Sequence, residues 1–232
     1  MVKDYGAVPH LIIPYFAYGR QDKRFQPGEA FSLKAIATML KALGVEGIIT
    51  VDAHFQRSVG RYDFFSLKAK NISAVELLFE HAAELMDNFV VVGPDKGSEN
   101  FLKLIKGEKI FLSKEKYCPD CKMEAINCKC KSKEKRYEIR IKAPESVKGR
   151  NVLLMDDMIA SGGTIIEAAR ALRKAGAGKI AIACVHGLFL NDAMERIKRV
   201  ADFIFTANTI ENAVSEVDIS PLIADTIRHR GV

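Results

Sequence analysis

Short runs of apolar, mostly β-branched residues alternate along the chain with longer stretches in which apolar residues recur at every third or fourth position. The short runs predict strands at residues 11–13, 47–51, 89–92, 109–112, 151–155, 179–185 and 202–206. The longer stretches predict helices at residues 32–43, 73–86, 163–175 and 192–200. Because the strands are apolar throughout and helices separate them, the pattern predicts an α/β fold whose parallel sheets are covered on both faces.

The predicted strand–helix units fall into two sets, and the second set begins near Ile72. With about 150 residues per domain, a chain of 232 residues has room for between one and two domains. Residues 1–71 contain too few units for a complete doubly wound domain, so we expect them to be the remainder of an N-terminal domain. Residues 72–232 are expected to form the C-terminal domain. The sequence therefore predicts two doubly wound parallel-sheet domains, the first of them truncated.

The composition favours a folded, water-soluble chain. Hydrophobic residues make up 48% of it, and no apolar run approaches the ~20 residues that span a bilayer. The apolar start is broken by Pro14 and lacks a small-residue cleavage site, which argues against a signal peptide. We therefore expect a cytoplasmic protein with no membrane partner.

The positive charge is concentrated in one segment. The chain has 35 Lys and Arg against 29 Asp and Glu, whereas residues 103–142 alone contain 13 basic and 6 acidic residues. A nucleic-acid-binding protein would more often spread its positive potential over a face or a helix. The concentration favours a solvated, insert-like surface and argues against a nucleic-acid partner, and a nucleic-acid module built on this segment is the less favoured alternative.

Acidic residues follow three of the predicted strands, at Asp52, at Asp95 and at the pair Asp156-Asp157. In an open parallel sheet the carboxyl ends of the strands line the ligand crevice. A single acidic residue after a strand is ordinary turn chemistry. Three such placements predict a cation or phosphate site at this edge of the sheet.

The strongest signal is the run from Asn151 to Thr164, where an apolar strand leads through two aspartates into a loop of small residues and then a helix. Glycines let backbone N–H groups approach a phosphate, Ser161 and Thr164 add hydroxyl donors, and the helix N-terminus supplies positive potential. The alternative is a tight strand–helix turn that starts with two aspartates. The coincidence of loop and carboxylates favours a site for a sugar phosphate.

This loop resembles the phosphoribosyl-diphosphate binding motif of type I phosphoribosyltransferases and of their relatives, the ribose-phosphate diphosphokinases. Four further stretches are similar to diphosphokinase segments in the same order, at residues 13–29, 51–54, 93–97 and 186–189. Ordinary phosphoribosyltransferases lack the Arg20-Gln21-Asp22 stretch and the duplicated first domain. The chain is therefore identified as an archaeal-like member of the diphosphokinase family with a shortened N-terminus, and both domains are expected to have the type I phosphoribosyltransferase-like fold.

The resemblance implies a Mg²⁺-dependent transfer of the diphosphoryl group of ATP to the C1 hydroxyl of ribose 5-phosphate, which gives 5-phosphoribosyl 1-diphosphate and AMP. It also implies a role for each matching residue. Lys114 is expected to be catalytic, Arg20 and Gln21 to bind ATP, and His54 and Asp95 to lie at the Mg²⁺ site. The residues expected to bind ribose 5-phosphate are Lys116, Asp156, Ala160, Ser161, Gly162, Gly163 and Thr164.

Two residues depart from the family pattern. Lys116 stands where the family usually has arginine, and Ala160 stands where it often has aspartate. A lysine lacks the planar fork with which arginine holds two phosphate oxygens. Together with the short beginning, this leaves a second function open, that of a non-catalytic or regulatory subunit that binds ribose phosphate or nucleotide. The chain is expected to form a homo-oligomer or to associate with a full-length homologue.

Four of the five cysteines, Cys118, Cys121, Cys128 and Cys130, lie in the lysine-rich segment. Clustered thiols inside a cell suggest a metal before they suggest disulfides. Four thiolates could hold a structural Zn²⁺, and the resemblance places them in a mobile catalytic flap that the metal would stiffen. The alternative is reduced, unliganded cysteines in a flexible insert. Cys184 lies in an apolar run and is expected to be a small buried hydrophobe.

Overall fold

The computed structural model describes residues 5–24, 26–56, 58–118, 120–121, 123, 127–128, 130 and 138–229. The chain divides into two compact units: Met1–Leu78, Val185–Gly187 and Thr206–Val232 form the first, and Phe79–Cys184 with Leu188–Phe205 form the second. The domain boundary near Ile72 stays a prediction. Within the described ranges no helix combines the length and the apolar character needed to cross a bilayer.

The first unit is built on a four-stranded sheet of order β1-β2-β4-β3. Its strands are β1 His10–Ile13, β2 Gly47–Val51, β3 Gly60–Phe64 and β4 Leu67–Ile72. β1 and β4 pair parallel with β2, whereas β3 pairs antiparallel with β4. The apolar-run pattern predicts neither β3 nor β4, because exposed and buried side chains alternate along both strands.

One helix and two aromatic residues close the core of the first unit. Helix α1, Ser32–Ala42, connects β1 to β2 and buries Leu33 and Ala37, which lie one turn apart. They pack in one cluster with Phe16, Ile48 and Phe64. The same unit contains α6, Ser220–Arg228, and β12, Ser215–Val217, which pairs parallel with Thr206 of strand β11, Phe203–Ala207. The apolar residues of α1, spaced one helical turn apart, therefore explain how this helix covers the four-stranded sheet.

The second unit is built on parallel strands. β11, β10, β9, β5 and β6 follow one another as neighbours in its sheet. Their bounds are β5 Phe89–Gly93, β6 Lys109–Phe111, β9 Asn151–Ile159, β10 Ile180–Gly187 and β11 Phe203–Ala207. β9 and β10 are buried over most of their length, as expected of parallel strands covered on both faces. Helix α4, Gly163–Lys174, covers the sheet with Ile165, Ile166 and Leu172.

The remaining elements are α2 Val75–Leu85, α3 Glu99–Leu102, α5 Ala193–Lys198 and a two-stranded hairpin of β7 Ser113–Tyr117 and β8 Glu138–Lys142. The structure differs from the sequence predictions at two places. The strand predicted to end at residue 155 continues to Ile159, so Asp156 and Asp157 lie within β9 and not after it. The strands of the β7–β8 hairpin were not predicted, because their lysines and glutamates hide the strand alternation.

Candidate active site

The predicted phosphate loop lies between the end of β9 at Ile159 and the start of α4 at Gly163. Gly162 is buried, with a φ of +71° that favours glycine. A Cβ atom at Gly162 would lie 3.1 Å from Cδ1 of Ile197. Ser161 is exposed, whereas Ala160 and Thr164 are half-buried. Since the first N–H groups of a helix have no partner within it, the start of α4 offers donors for an anion.

The loop is fixed by the segment that follows β10. The carbonyl of Ile159 accepts hydrogen bonds from the N–H groups of Leu188 at 3.0 Å and Phe189 at 3.1 Å. The carbonyl of Ala160 accepts one from the N–H of Leu190 at 3.0 Å. Nothing in the loop's own sequence indicates these bonds, and the resemblance at residues 186–189 was the only available signal. Three backbone bonds therefore hold the loop where strand and helix meet.

Two adjacent carboxylates lead into the loop. The Asp156 carboxylate accepts the N–H of Asp157 at 3.1 Å, and the Asp157 carboxylate accepts the N–H of Met158 at 2.8 Å. Burial and the neighbouring charge of Asp157 raise the pKa of Asp156 to about 8. The carboxyl of Asp156 therefore holds its proton over most of the range below neutral pH.

Asp95 and Lys114, which the sequence places 19 residues apart, are in contact. One oxygen of Asp95, Oδ1, accepts the N–H of Gly97 at 2.6 Å and so fixes the tight turn after β5. The other oxygen, Oδ2, accepts a hydrogen bond from Nζ of Lys114, which stands on β7. Both side chains are about one third exposed to solvent, 29% for Asp95 and 33% for Lys114. The pair is therefore accessible and has no buried, uncompensated charge.

The adjacent strands β5 and β9 bring these groups to one edge of the second unit. β5 and β9 pair parallel with Val92 opposite Leu154, so their carboxyl ends lie side by side. The charge of Asp95 contributes to the raised pKa of Asp156. Three carboxylates and Lys114 thus lie in one region of the second unit, and the cation or phosphate site expected there stays a prediction. The side chain of Lys116 lies outside the described part of the structure.

The first unit contains the other predicted residues. Arg20 is exposed, and the Gln21 side chain accepts a hydrogen bond from the Ser32 hydroxyl at 2.5 Å, which ties this stretch to the start of α1. His54 is exposed in the turn after β2. Because His54 belongs to the first unit and Asp95 to the second, their shared Mg²⁺ site stays a prediction.

Asp52, the third acidic residue expected at a strand end, bonds to the start of α2. Its carboxylate accepts the Ser73 hydroxyl at 2.6 Å and the N–H of Ala74 at 2.7 Å. A carboxylate at a helix N-terminus satisfies donors that have no partner within the helix. These bonds give Asp52 a structural role in the first unit.

The four clustered cysteines lie at the end of the β7–β8 hairpin. Their sulfur atoms all lie within 4.8 Å of one another, and Cys118 is buried directly after β7. The backbone N–H of Cys121 is the largest influence on Cys118 and helps to lower the pKa of its thiol to about 7. The neighbouring sulfurs, Cys121 first, raise the pKa of Cys130 to about 12. Cys184 is fully buried in β10, as predicted.

Comparison with known proteins gives matches over most of the chain. Residues 69–221 match the family model described as "Phosphoribosyl transferase domain", and residues 9–44 match "N-terminal domain of ribose phosphate pyrophosphokinase". The chain is 33% identical to the ribose-phosphate pyrophosphokinase of Methanothermobacter thermautotrophicus, over 98% of this chain and 75% of that one. It is 35% identical to that of Methanopyrus kandleri, over 94% and 70%. A crystal structure of phosphoribosylpyrophosphate synthetase from Mycobacterium smegmatis matches with a TM-score of 0.71 and 28% identity, over 98% of this chain and 73% of that one.

Proposed function

The chain belongs to the ribose-phosphate pyrophosphokinase family and has the type I phosphoribosyltransferase-like fold, and on that premise we propose the reaction it catalyses. The chain transfers the diphosphoryl group of ATP to the C1 hydroxyl of ribose 5-phosphate. The products are 5-phosphoribosyl 1-diphosphate and AMP, and the reaction depends on Mg²⁺.

The observation that carries this proposal is the contact between Lys114 and Asp95 beside the carboxylates of β9. Diphosphoryl transfer is mainly a matter of positioning the reactants and stabilising charge on the migrating group. A lysine ammonium that stands among carboxylates, next to a loop of helix N–H donors, meets both needs. The Lys114 ammonium neutralises charge that develops on the transferred group.

Ribose 5-phosphate is assigned to the loop and to Asp156. The N–H groups at the start of α4 and the hydroxyls of Ser161 and Thr164 hold the 5-phosphate. Asp156 and Asp157 face the sugar hydroxyls, whose hydrogen bonds their carboxyl oxygens accept. Gly162 keeps the turn narrow enough for a phosphate to approach the backbone. Lys116 adds a further positive charge on the hairpin.

The oxygen donors of this edge fit Mg²⁺, which prefers oxygen ligands. Asp95 would hold the ion through a carboxylate oxygen, and His54 is the second residue proposed for Mg²⁺, through a metal-bound water or a triphosphate oxygen. When bound, Mg²⁺ supplies neutralisation of the phosphate charges. Arg20 and Gln21 orient the ATP phosphates, since a guanidinium can hold two oxygens at once.

The test is AMP release and 5-phosphoribosyl 1-diphosphate formation by the purified chain given Mg²⁺, ATP and ribose 5-phosphate. Lys114→Ala is expected to lower kcat about 100- to 1,000-fold, the effect of removing one charge-stabilising donor. Lys142→Ala serves as the matched control, because Lys142 lies on the same hairpin and pairs with Glu115 instead of Asp95. Its activity should stay close to that of the wild type.

Two results would contradict the proposed reaction. The first is a folded wild-type chain that releases no AMP, and the second is equal activity of wild type and Lys114→Ala. A folded but inactive chain that still binds ribose 5-phosphate would favour the regulatory subunit. Association as a homo-oligomer or with a full-length homologue stays a prediction.

A further inference from the structure

We propose that Cys118, Cys121, Cys128 and Cys130 together bind one structural Zn²⁺ ion at the end of the β7–β8 hairpin. Their four sulfur atoms lie within 4.8 Å of one another, although the cysteines span 13 positions of the chain. Four thiols that bind no ligand would not be expected to converge in this way. Four sulfur donors around one point are the ligand set of a closed zinc site.

The spacing of the sulfurs fits a metal better than a disulfide. Zn–S bonds of about 2.3 Å in a tetrahedron place neighbouring sulfurs about 3.8 Å apart. The measured distance from Sγ of Cys121 to Sγ of Cys128 is 3.8 Å. A disulfide has an S–S bond of about 2.05 Å and joins two cysteines. A single disulfide would therefore not explain why the other two thiols lie beside it.

The surroundings also suit a charged metal centre. The N–H of Cys118 donates to the carbonyl of Met123 at 2.8 Å, which closes the loop between the first two cysteines, and the N–H of Cys121 acts on the Cys118 sulfur. Donors of this kind orient and stabilise metal-bound thiolates. Residues 114–142 contain 10 basic and 5 acidic residues, so a centre of charge −2 is offset by the segment that carries it.

A metal at this point would stabilise the hairpin. β7 and β8 form a two-stranded sheet of their own, with five paired positions from Ser113↔Lys142 to Tyr117↔Glu138. Two-stranded hairpins alone are marginally stable in water, and this one gains further support from Ile141 against the core cluster and from Lys114 on Asp95. Cys118 follows β7 directly, so a metal bound there would stabilise the strand that carries Lys114. Zinc binding by these thiols does not depend on the reaction proposed above.

The first experiment measures metal content. The full chain, without a polyhistidine tag, is produced in medium that contains both zinc and iron and is purified without chelator. Elemental analysis is expected to find one zinc per chain in the wild type and none in Cys118→Ser or Cys128→Ser. Cys184→Ala is the matched control, because it removes a thiol outside the cluster and should keep its zinc.

A second measurement needs no substitution and so covers the case in which the serine variants fail to fold. Titration of the wild type with a mercurial reagent should release zinc in step with loss of the four cluster thiols. Cobalt in place of zinc should give the visible absorption of a tetrahedral tetrathiolate. Trypsin should cut the lysine-rich segment faster after zinc release, while circular dichroism shows the rest of the fold intact.

Several results would overturn the zinc site. A wild-type chain that contains no metal, a cluster oxidised to disulfides, or iron in place of zinc would each do so. Zinc retained by both serine variants would also do so. Absence of AMP release would leave these readouts untouched, so failure of the proposed reaction and failure of the metal site are distinguishable.

Discussion

The phosphate loop and the β7–β8 hairpin carry the candidate catalytic groups of the second unit, and they are held in different ways. The loop joins two elements of the core, and three backbone hydrogen bonds from Leu188, Phe189 and Leu190 fix it. The hairpin is held by its own ladder, by the contact of Arg140 with the Tyr117 ring at 4.4 Å and by the Glu115–Lys142 ion pair. It joins the rest of the unit through Ile141, which packs against the core cluster, and through the contact of Lys114 with Asp95. The loop is thus tied into the core by its backbone, whereas the hairpin joins it through side chains.

The largest expected effect comes from Gly162→Ala, which would distort the phosphate loop. Its left-handed backbone and the close approach to Ile197 together should cost about 2–4 kcal/mol of unfolding free energy. Urea unfolding measures this as a lower midpoint with an unchanged slope. Affinity for ribose 5-phosphate should fall as well, because the added Cβ displaces the turn.

Gly149→Ala is the control for this variant. Gly149 has a similar φ of +74°, yet no atom lies within 4 Å of its added Cβ. Its cost should be the conformational part alone, about 1–2 kcal/mol. Equal losses in the two variants would show that the approach to Ile197 contributes nothing.

The second effect concerns Asp156, whose pKa of about 8 is raised by burial and by Asp157. A raised carboxyl pKa means that the folded chain keeps a proton that the unfolded chain releases. Stability therefore falls as pH rises from about 4 to about 8. Asp156→Asn should remove this part of the slope and unfold with a free energy more than about 1 kcal/mol higher at pH 8.

Urea midpoints of wild type and Asp156→Asn, measured from acidic to alkaline pH, test this expectation. The gain in stability should come with weaker binding of ribose 5-phosphate at pH 8 and above, where the wild-type group ionises and an amide accepts hydrogen bonds from sugar hydroxyls less strongly than a carboxylate. Parallel pH profiles of the two proteins would rule out the raised pKa.

The smallest effect is expected from Glu115→Gln, which tests whether the hairpin can loosen without loss of global stability. Hydrogen bonds from Lys142 and Tyr117 lower the pKa of Glu115, so the carboxylate is ionised when it holds them. The substitution weakens these contacts at a half-buried carboxylate whose partner Lys142 is exposed, and ion pairs open to solvent contribute little. Amide exchange in β7 and β8 should become faster, with the global unfolding midpoint unchanged. A lowered global midpoint would mean that the hairpin folds as part of the core.

Much of the second unit could be predicted because its signals are local. β9, β10 and α4 have long apolar patterns, and the glycine of the turn must satisfy a backbone conformation that few other residues adopt. The β3–β4 and β7–β8 hairpins could not, because exposed charged residues interrupt their apolar positions. Local pattern rules identify the buried sheet better than they identify ribbons at the surface.

The candidate site also has a part that local sequence predicts and a part that depends on tertiary contacts. The residues of the loop follow from consecutive positions and were predicted together. The contact of Lys114 with Asp95 joins positions 19 apart and depends on how the hairpin is placed, which no local pattern encodes. Asp52 looked like Asp95 in the sequence, but its bonds to Ser73 and Ala74 show that the same residue type after a strand can serve a helix.

The two oxygens of Asp95 have separate tasks. Oδ1 is occupied by the N–H of Gly97, which fixes the plane of the carboxylate, and Oδ2 faces the lysine of the hairpin. A departing ammonium would thus expose an already oriented oxygen without any rotation of the side chain. Asp95 would in this way offer a prepositioned ligand to Mg²⁺ when the lysine ammonium is not bound to it.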